Sequence, residues 1–334
     1  MNAKLRTLIE SIQSTVADYR ADEGFSLDAD HVELWVKQFD SGIRVDILQE
    51  MDHILKKTYF SKRRVARFLR SVARSKDLSK GDLPTFWKKT GILKNQNRGN
   101  SQREMLPILS EELSKAVGFG IDDCPSEASN FIYLDDAIFS GQHVVNDFRP
   151  WIAKDAPKKA NVNIIVIAYH TGGKYYSKKA LEEMATEAGK KIDFTFWCSA
   201  VYENRSNANG DVDVLRPRVL PEDDNTKKFI EEFGQNGKLG LLRSAKDPNS
   251  SKIFSSEESR NMLEQAFWLK GLEIRDMCPL LKPMHRPLGY TSTNSSNKIG
   301  FGAMFVTYRN CPNNCPLAVW AGEPWHPLLE RKPN

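Results

Sequence analysis

The chain has no apolar run approaching the ~20 residues that a membrane-spanning helix needs, so its 334 residues exclude a helical membrane protein. Cysteine is scarce. Cys124, Cys198, Cys278, Cys311 and Cys315 form an odd, scattered set, which argues against a disulfide-stapled secreted domain and for reduced thiols in a cytosol. The start, Met1-Asn2-Ala3-Lys4-Leu5-Arg6, carries no signal-peptide core. The expected compartment is the cytoplasm, with no membrane partner. A Gly-x-Ser-x-Gly elbow is missing around Ser140, which removes a hydrolase triad. A Walker lysine is missing too, since Gly141 is followed by Gln142 and His143. Cys311 and Cys315 do not have the spacing of a usual zinc knuckle, and no second paired motif joins them with Cys278, His285 or His326.

Charge is present in excess and is segregated. Between residues 51 and 100 stand fourteen Lys or Arg against Asp52, Asp77 and Asp82, a segment of +11 in a chain of +5, so the remainder is −6. Such asymmetry points to a polyanion or an acidic partner near one end. The most regular helix in this segment sets Arg63, Arg67, Arg70 and Arg74 on one face and Val65, Phe68, Leu69 and Val72 on the other. Its guanidinium stripe is about 16 Å long. Phosphates of a nucleic acid are one target; a solvated helix face, or ion pairing with another subunit, fits the same pattern.

The chain reads as a helical, basic region over residues 1–95 and an α/β domain over 96–334. Residues 131–134 and 162–169 are near-continuous apolar runs typical of buried parallel strands. Helical patterns near 105–117, 142–153 and 177–189 alternate with them, and a third strand follows at 192–201. The fold class expected is α/β, a doubly wound, mostly parallel sheet preceded by helices. Ligands of such sheets bind beyond the carboxyl ends of the strands. Asp135 and Asp136 end one strand and His170-Thr171-Gly172-Gly173 ends the next, so both sets are expected on one edge.

The most informative stretch is Asn130-Phe131-Ile132-Tyr133-Leu134-Asp135-Asp136-Ala137-Ile138-Phe139-Ser140-Gly141-Gln142-His143. An apolar strand runs into two carboxylates, then a Ser-Gly turn, then a helix. The turn's N–H groups and the helix dipole favour a phosphate, and the acids suit ribose hydroxyls or Mg²⁺. A buried strand that merely ends in Asp-Asp before an N-capped helix has the same local pattern. This segment resembles the PRPP-binding motif of type I phosphoribosyltransferases, with Asp135, Asp136, Ser140 and Gly141 matching position by position. Phe139, Gln142 and His143 depart from the small or hydroxyl residues that the family has there.

The resemblance implies a ribose-phosphate cradle over Ile138, Phe139, Ser140, Gly141, Gln142 and His143. It implies Asp135 and Asp136 at the ribose, directly or through Mg²⁺, with the carboxylates stabilising an oxocarbenium-like centre. Asn97-Arg98-Gly99-Asn100-Ser101 loosely resembles the family's pyrophosphate loop, with Arg98 and Ser101 as ligands; simple N-capping by Ser101 is the alternative. His170 is the candidate for proton transfer, its ordinary pKa being near neutrality. Thr171 and the proline-fixed Asn310-Cys311-Pro312-Asn313-Asn314-Cys315 loop are candidates for base or ribose contacts through Asn310, Asn313 and Asn314; a structural turn fits that loop too.

Taken with Gln38-Phe39, Tyr59-Phe60-Ser61-Lys62 and the C-terminal loop, the chain is similar to phosphoribosyltransferase-like proteins of bacterial anti-phage loci. Some of these belong to retron systems beside a reverse transcriptase and a winged-helix protein. That resemblance implies PRPP or a nucleotide as substrate, a reverse transcriptase, msDNA, RNA or winged-helix protein as partner, and an oligomer or complex. Three classes follow: an active phosphoribosyltransferase or nucleotide-cleaving glycosyl enzyme, an inactive nucleotide sensor, and a scaffold that binds nucleic acid or a reverse transcriptase.

Overall fold

Phe131-Ile132-Tyr133-Leu134 and Ile164-Ile165-Val166-Ile167 are buried at every position, whichever way the side chain points. Successive strand residues point to opposite faces, so burial of both sets means that both faces of the sheet are covered, as in parallel sheets wrapped by helices. The computed structural model describes residues 3–97, 99–125, 128–205, 212–234, 242–243, 251–278, 280–291 and 297–332.

The chain enters through α1 (Ala3–Thr15), α2 (Ala29–Lys37), α3 (Arg44–Thr58) and the short strand β1 (Tyr59–Phe60). Helices α4 (Lys62–Ala73), α5 (Lys76–Ser79) and α6 (Leu83–Lys88) follow. Next come β2 (Thr90–Leu93), α7 (Ser101–Val117), β3 (Asn130–Ile138) and α8 (Gln142–Lys154). They lead into β4 (Lys159–His170), α9 (Thr171–Glu187) and β5 (Lys191–Tyr202). The last part holds α10 (Asp224–Phe233) and α11 (Glu257–Met277). It closes with β6 (His285–Arg286), β7 (Gly289–Tyr290), β8 (Val306–Thr307) and α12 (Leu317–Trp320).

Contacts divide the chain into two units, residues 1–62 with 203–333, and residues 63–202. The second unit holds an α/β fold, a parallel sheet of order β2-β3-β4-β5 with helices around it. On one side Phe131, Tyr133, Val162, Ile164, Ile192 and Phe194 pack with Val144, Phe148 and Trp151 of α8 and Leu181 of α9. Each fully buried large apolar side chain contributes about 1.5–3 kcal/mol. Helix α7 packs along β3 and buries Met105, Leu109 and Leu113 at four-residue spacing. Because all four strands are parallel, residues 94–97, 139–141 and the start of α9 gather at one carboxyl edge.

The boundary expected at residues 95/96 falls inside this unit, in the connection from β2 to α7. Two pieces of strand lie within the region expected to be helical. Thr90–Leu93 pairs with Asn130–Tyr133, and Tyr59–Phe60 pairs with Val306–Thr307.

In the first unit the N-terminal helices fold with the C-terminal segment. Trp35 Nε1 donates to Ala318 O at 2.7 Å, Tyr19 Oη donates to Glu330 O at 2.7 Å, and Phe39 packs against Phe267 and Trp325. Arg243 Nη2 and Arg260 Nε, fully buried, meet the two oxygens of Glu264 at 3.1 and 2.9 Å. Removing Glu264 would leave two buried cations short of a partner.

Candidate functional site

The two acids at the end of β3 have different surroundings, because neighbouring strand residues face opposite ways. Asp135 is 2% exposed. It accepts from Ser101 Oγ, from Gln96 Nε2 at 3.1 Å and from the Asp136 amide at 2.8 Å, and its other oxygen lies 3.2 Å from Tyr133 Oη. A buried carboxylate without such donors would cost several kcal/mol on the order of an unpaired charge, so these bonds are what permit it there. Asp136 is half-buried.

Tyr133 also reaches Asp147 of α8, at 2.7 Å. A phenol has one proton, so the shorter contact is the donated bond. Burial, then the charges of Asp135 and Asp147, push the Tyr133 phenol far above the ordinary tyrosine range, which keeps it protonated. Asp147 further accepts the Asn97 amide at 3.0 Å and lies 3.4 Å from His143 Nε2. The connection after β2 is thereby tied to both carboxylates. It is closed on itself by Gln96 and Gln102, each of which takes the other's amide, at 3.0 and 3.3 Å.

Strand β3 continues through Ile138, which pairs with Tyr169, so Ile138 belongs to the ladder and not to the phosphate turn. The turn is Phe139-Ser140-Gly141. Gly141 has φ 84°, the left-handed conformation that glycine adopts without strain, and it caps α8. A Cβ there would lie 2.5 Å from Gly173 O, and a Cβ on Gly173 would lie 1.9 Å from Phe139 O. The two backbones touch only because both residues are glycine. Ser140 is exposed, with Oγ 3.5 Å from the Gln142 amide. Gln142 donates to Asn146 Oδ1 and accepts from Tyr176 Oη, both at 2.9 Å. The first N–H groups of α8 have no acceptor within the helix and lie beside this turn.

His170 differs from its expected role. It is 1% exposed, its ring stacks on Phe139 at 5.2 Å and tilts against Tyr202 at 5.5 Å, and Nδ1 is 3.3 Å from Ile138 O. Enclosed between two rings, it positions the Phe139 turn; a proton relay would need an open nitrogen. The His170-Thr171-Gly172-Gly173 stretch is no loop, since Thr171 already begins α9.

A family model named PRTase-CE matches residues 32–331. The chain belongs to the PRTase-CE family. Among solved structures it is similar to orotate phosphoribosyltransferase from Aeropyrum pernix, at 15% identity, over 41% of this chain and 69% of that one, with a TM-score of 0.23. None of the curated proteins matches it.

In this PRTase-CE chain Ser101, at the start of α7, does meet Asp135, as a buried donor. Arg98 lies outside the described residues. Asn310, Asn313 and Asn314 belong to the other unit. Asn310 exchanges two bonds with the Lys332 backbone, at 2.8 and 2.9 Å, and Asn314 Nδ2 donates to Tyr290 O at 3.3 Å. Those two amides fasten a turn, which corrects their reading as base contacts; Asn313 contributes its carbonyl, to Tyr290 N at 2.7 Å.

Arg63 and Arg67 on α4 and Arg74, the residue after it, are exposed, while Arg70 is held by buried Glu112 through Nε–Oε2 at 2.8 Å and Nη2–Oε1 at 3.3 Å. Arg70 therefore leaves the stripe. Gln96, Tyr133 and Asp147 are site residues that sequence reasoning missed. The signals were present: Tyr133 is two residues before Asp135 on the same strand face, and Asp147 is one helical turn after His143. Among the described residues no three His, Cys, Asp or Glu side chains converge on a metal position. Mg²⁺ commonly takes one or two carboxylates together with substrate phosphates and water, a demand that the half-buried Asp136 fits.

Membrane crossing has no support in the helices: among the described residues none is long and apolar enough.

Proposed function

We propose that this PRTase-CE protein is a phosphoribosyltransferase-like enzyme that binds PRPP or a nucleotide at the carboxyl edge of its sheet and transfers or releases the ribosyl group. The observation that carries this reading is the Phe139–Gly141 turn, pressed onto Gly173 and opening into α8, with Asp136 three residues before the turn at the end of β3. The 5′-phosphate rests on the amides of Gln142 and His143 and on Ser140 Oγ, where backbone donors and the helix dipole act together. Asp136 meets the ribose hydroxyls and stabilises positive charge developing at the anomeric carbon. Asp135 holds the β2–α7 connection in place through Ser101 and Gln96, which makes it a positioning residue. His143, leaning on Asp147, offers a side chain where the family has hydroxyls. Mg²⁺, when bound, would neutralise the leaving pyrophosphate.

The resemblance to proteins of anti-phage loci supports a bacterial cytoplasmic defence setting, with a reverse transcriptase, msDNA or RNA, or a winged-helix protein as partner. A second reading, a nucleotide sensor without turnover, draws on the burial of Asp135 among protein donors and the enclosure of His170. Incubation with Mg²⁺, PRPP and nucleotides, read by mass spectrometry and by thermal shift, separates the two. The enzyme reading expects product formation that Asp136→Asn abolishes with melting unchanged. Stabilisation without product would select the sensor, and neither effect would remove the site.

A further inference from the structure

Helix α4 carries a face that neither the sheet nor the proposed site uses. From Lys62 to Lys94 the chain has eleven Lys or Arg against Asp77 and Asp82. Val65, Leu69 and Val72 are buried, whereas Arg63, Arg67 and Arg74 are exposed, and none of these three has an ion pair among the described residues. Like charges at three- and four-residue spacing weaken a helix, so the arrangement is unfavourable until an anion arrives. Arg70, in the middle of the row, shows the alternative fate of such a residue, since a buried carboxylate has claimed it.

We infer that the Arg63–Arg67–Arg74 face of α4 docks the phosphate backbone of a nucleic acid. Arginine presents a planar fork that pairs two donors with one phosphate. From Arg63 to Arg74 the row covers about 16 Å at 1.5 Å per residue. At ~3.4 Å per nucleotide that distance spans roughly five residues of one strand, so a mononucleotide or PRPP cannot touch both ends. The amino-terminal end of α4 also connects to the candidate site. Burial draws the half-buried Arg64 guanidinium below its usual range, and the nearby Tyr202 phenol opposes that effect. Tyr202 tilts against His170, which stacks on Phe139.

The test uses the full chain with labelled single-stranded RNA, single-stranded DNA and duplex DNA of mixed sequence, read by fluorescence anisotropy across a salt series. Binding is expected to weaken steeply with salt and to persist across sequences, since backbone contacts carry no base information. Arg63→Glu/Arg67→Glu/Arg74→Glu should weaken binding at least tenfold and reduce the slope of log affinity against log salt by about 2, at ~0.7 per lost single-strand phosphate contact. Lys178→Glu/Lys179→Glu on α9 should change neither. Because the three arginines are exposed, melting should not fall, and Arg63→Gln/Arg67→Gln/Arg74→Gln gives the same binding readout without added negative charge. Absence of binding to all three nucleic acids, equal binding by the reversed variant, or binding of an acidic polypeptide alone would each overturn the inference. Thermal stabilisation by PRPP, measured in the same variants, reports on the ribose-phosphate site separately.

Discussion

The turn Phe139–Gly141 and the loop Asn310–Cys315 are both short and polar, yet they spend their side chains differently. In the first, the fold is secured by backbone and rings: Gly141 against Gly173, and Phe139 against His170. Ser140 and His143 are left exposed. In the second, the side chains themselves hold the turn, with Asn310 on Lys332 and Asn314 on Tyr290. Polar residues on a loop are available to a ligand when glycine contacts and stacking already fix the main chain; where the amides do the fixing, they are already engaged.

The sharpest way to break this contrast is Gly173→Ala. Its methyl would sit 1.9 Å from Phe139 O, so the turn must shift. Destabilisation of about 3 kcal/mol or more is expected from overpacking, together with loss of any stabilisation by PRPP. Chemical denaturation and thermal shift check both, and unchanged values would show that the turn is not pinned. A smaller effect is expected from Asp135→Asn. The variant keeps the shape but weakens three hydrogen bonds, for about 1–3 kcal/mol, and loosens the β2–α7 connection, visible as faster amide exchange over residues 99–101. If Asp135→Asn melts like the parent while Asp136→Asn does not, the division of labour between the acids is reversed. The mildest change is Asn310→Ala, expected to cost about 0.5–1.5 kcal/mol and to leave ligand binding at the Phe139 turn unaltered. Loss of ligand binding in that variant would return the asparagine loop to the site.

Much of the α/β unit was legible because its strands are nearly unbroken apolar runs, as at Phe131–Leu134 and Ile164–Ile167, separated by helical periods. The Asp135-Asp136 and Ser140-Gly141 pairs were legible because a strand-turn-helix join has a recognisable composition. Strand β2 was not. Thr90-Gly91-Ile92-Leu93 offers two large apolar residues after Lys88 and Lys89, and nothing local separates it from α6. The joining of N- and C-terminal segments was equally hidden, since Trp35–Ala318 and Phe39–Trp325 are contacts between residues almost three hundred positions apart. His170 was placed on the right edge by strand period, but the enclosing rings come from Phe139 and Tyr202 on two other strand ends. Asp135 draws Ser101 and Gln96 from 34 and 39 positions upstream, which no local window around it contains.

One hydroxyl hydrogen on Tyr133 stands between two acids that each have use for it. Whatever strengthens the claim of one releases the other. The carboxylate at the end of β3 and the one on α8 thus share a single phenol between them, so a change of charge at either alters the hydrogen bond open to the other.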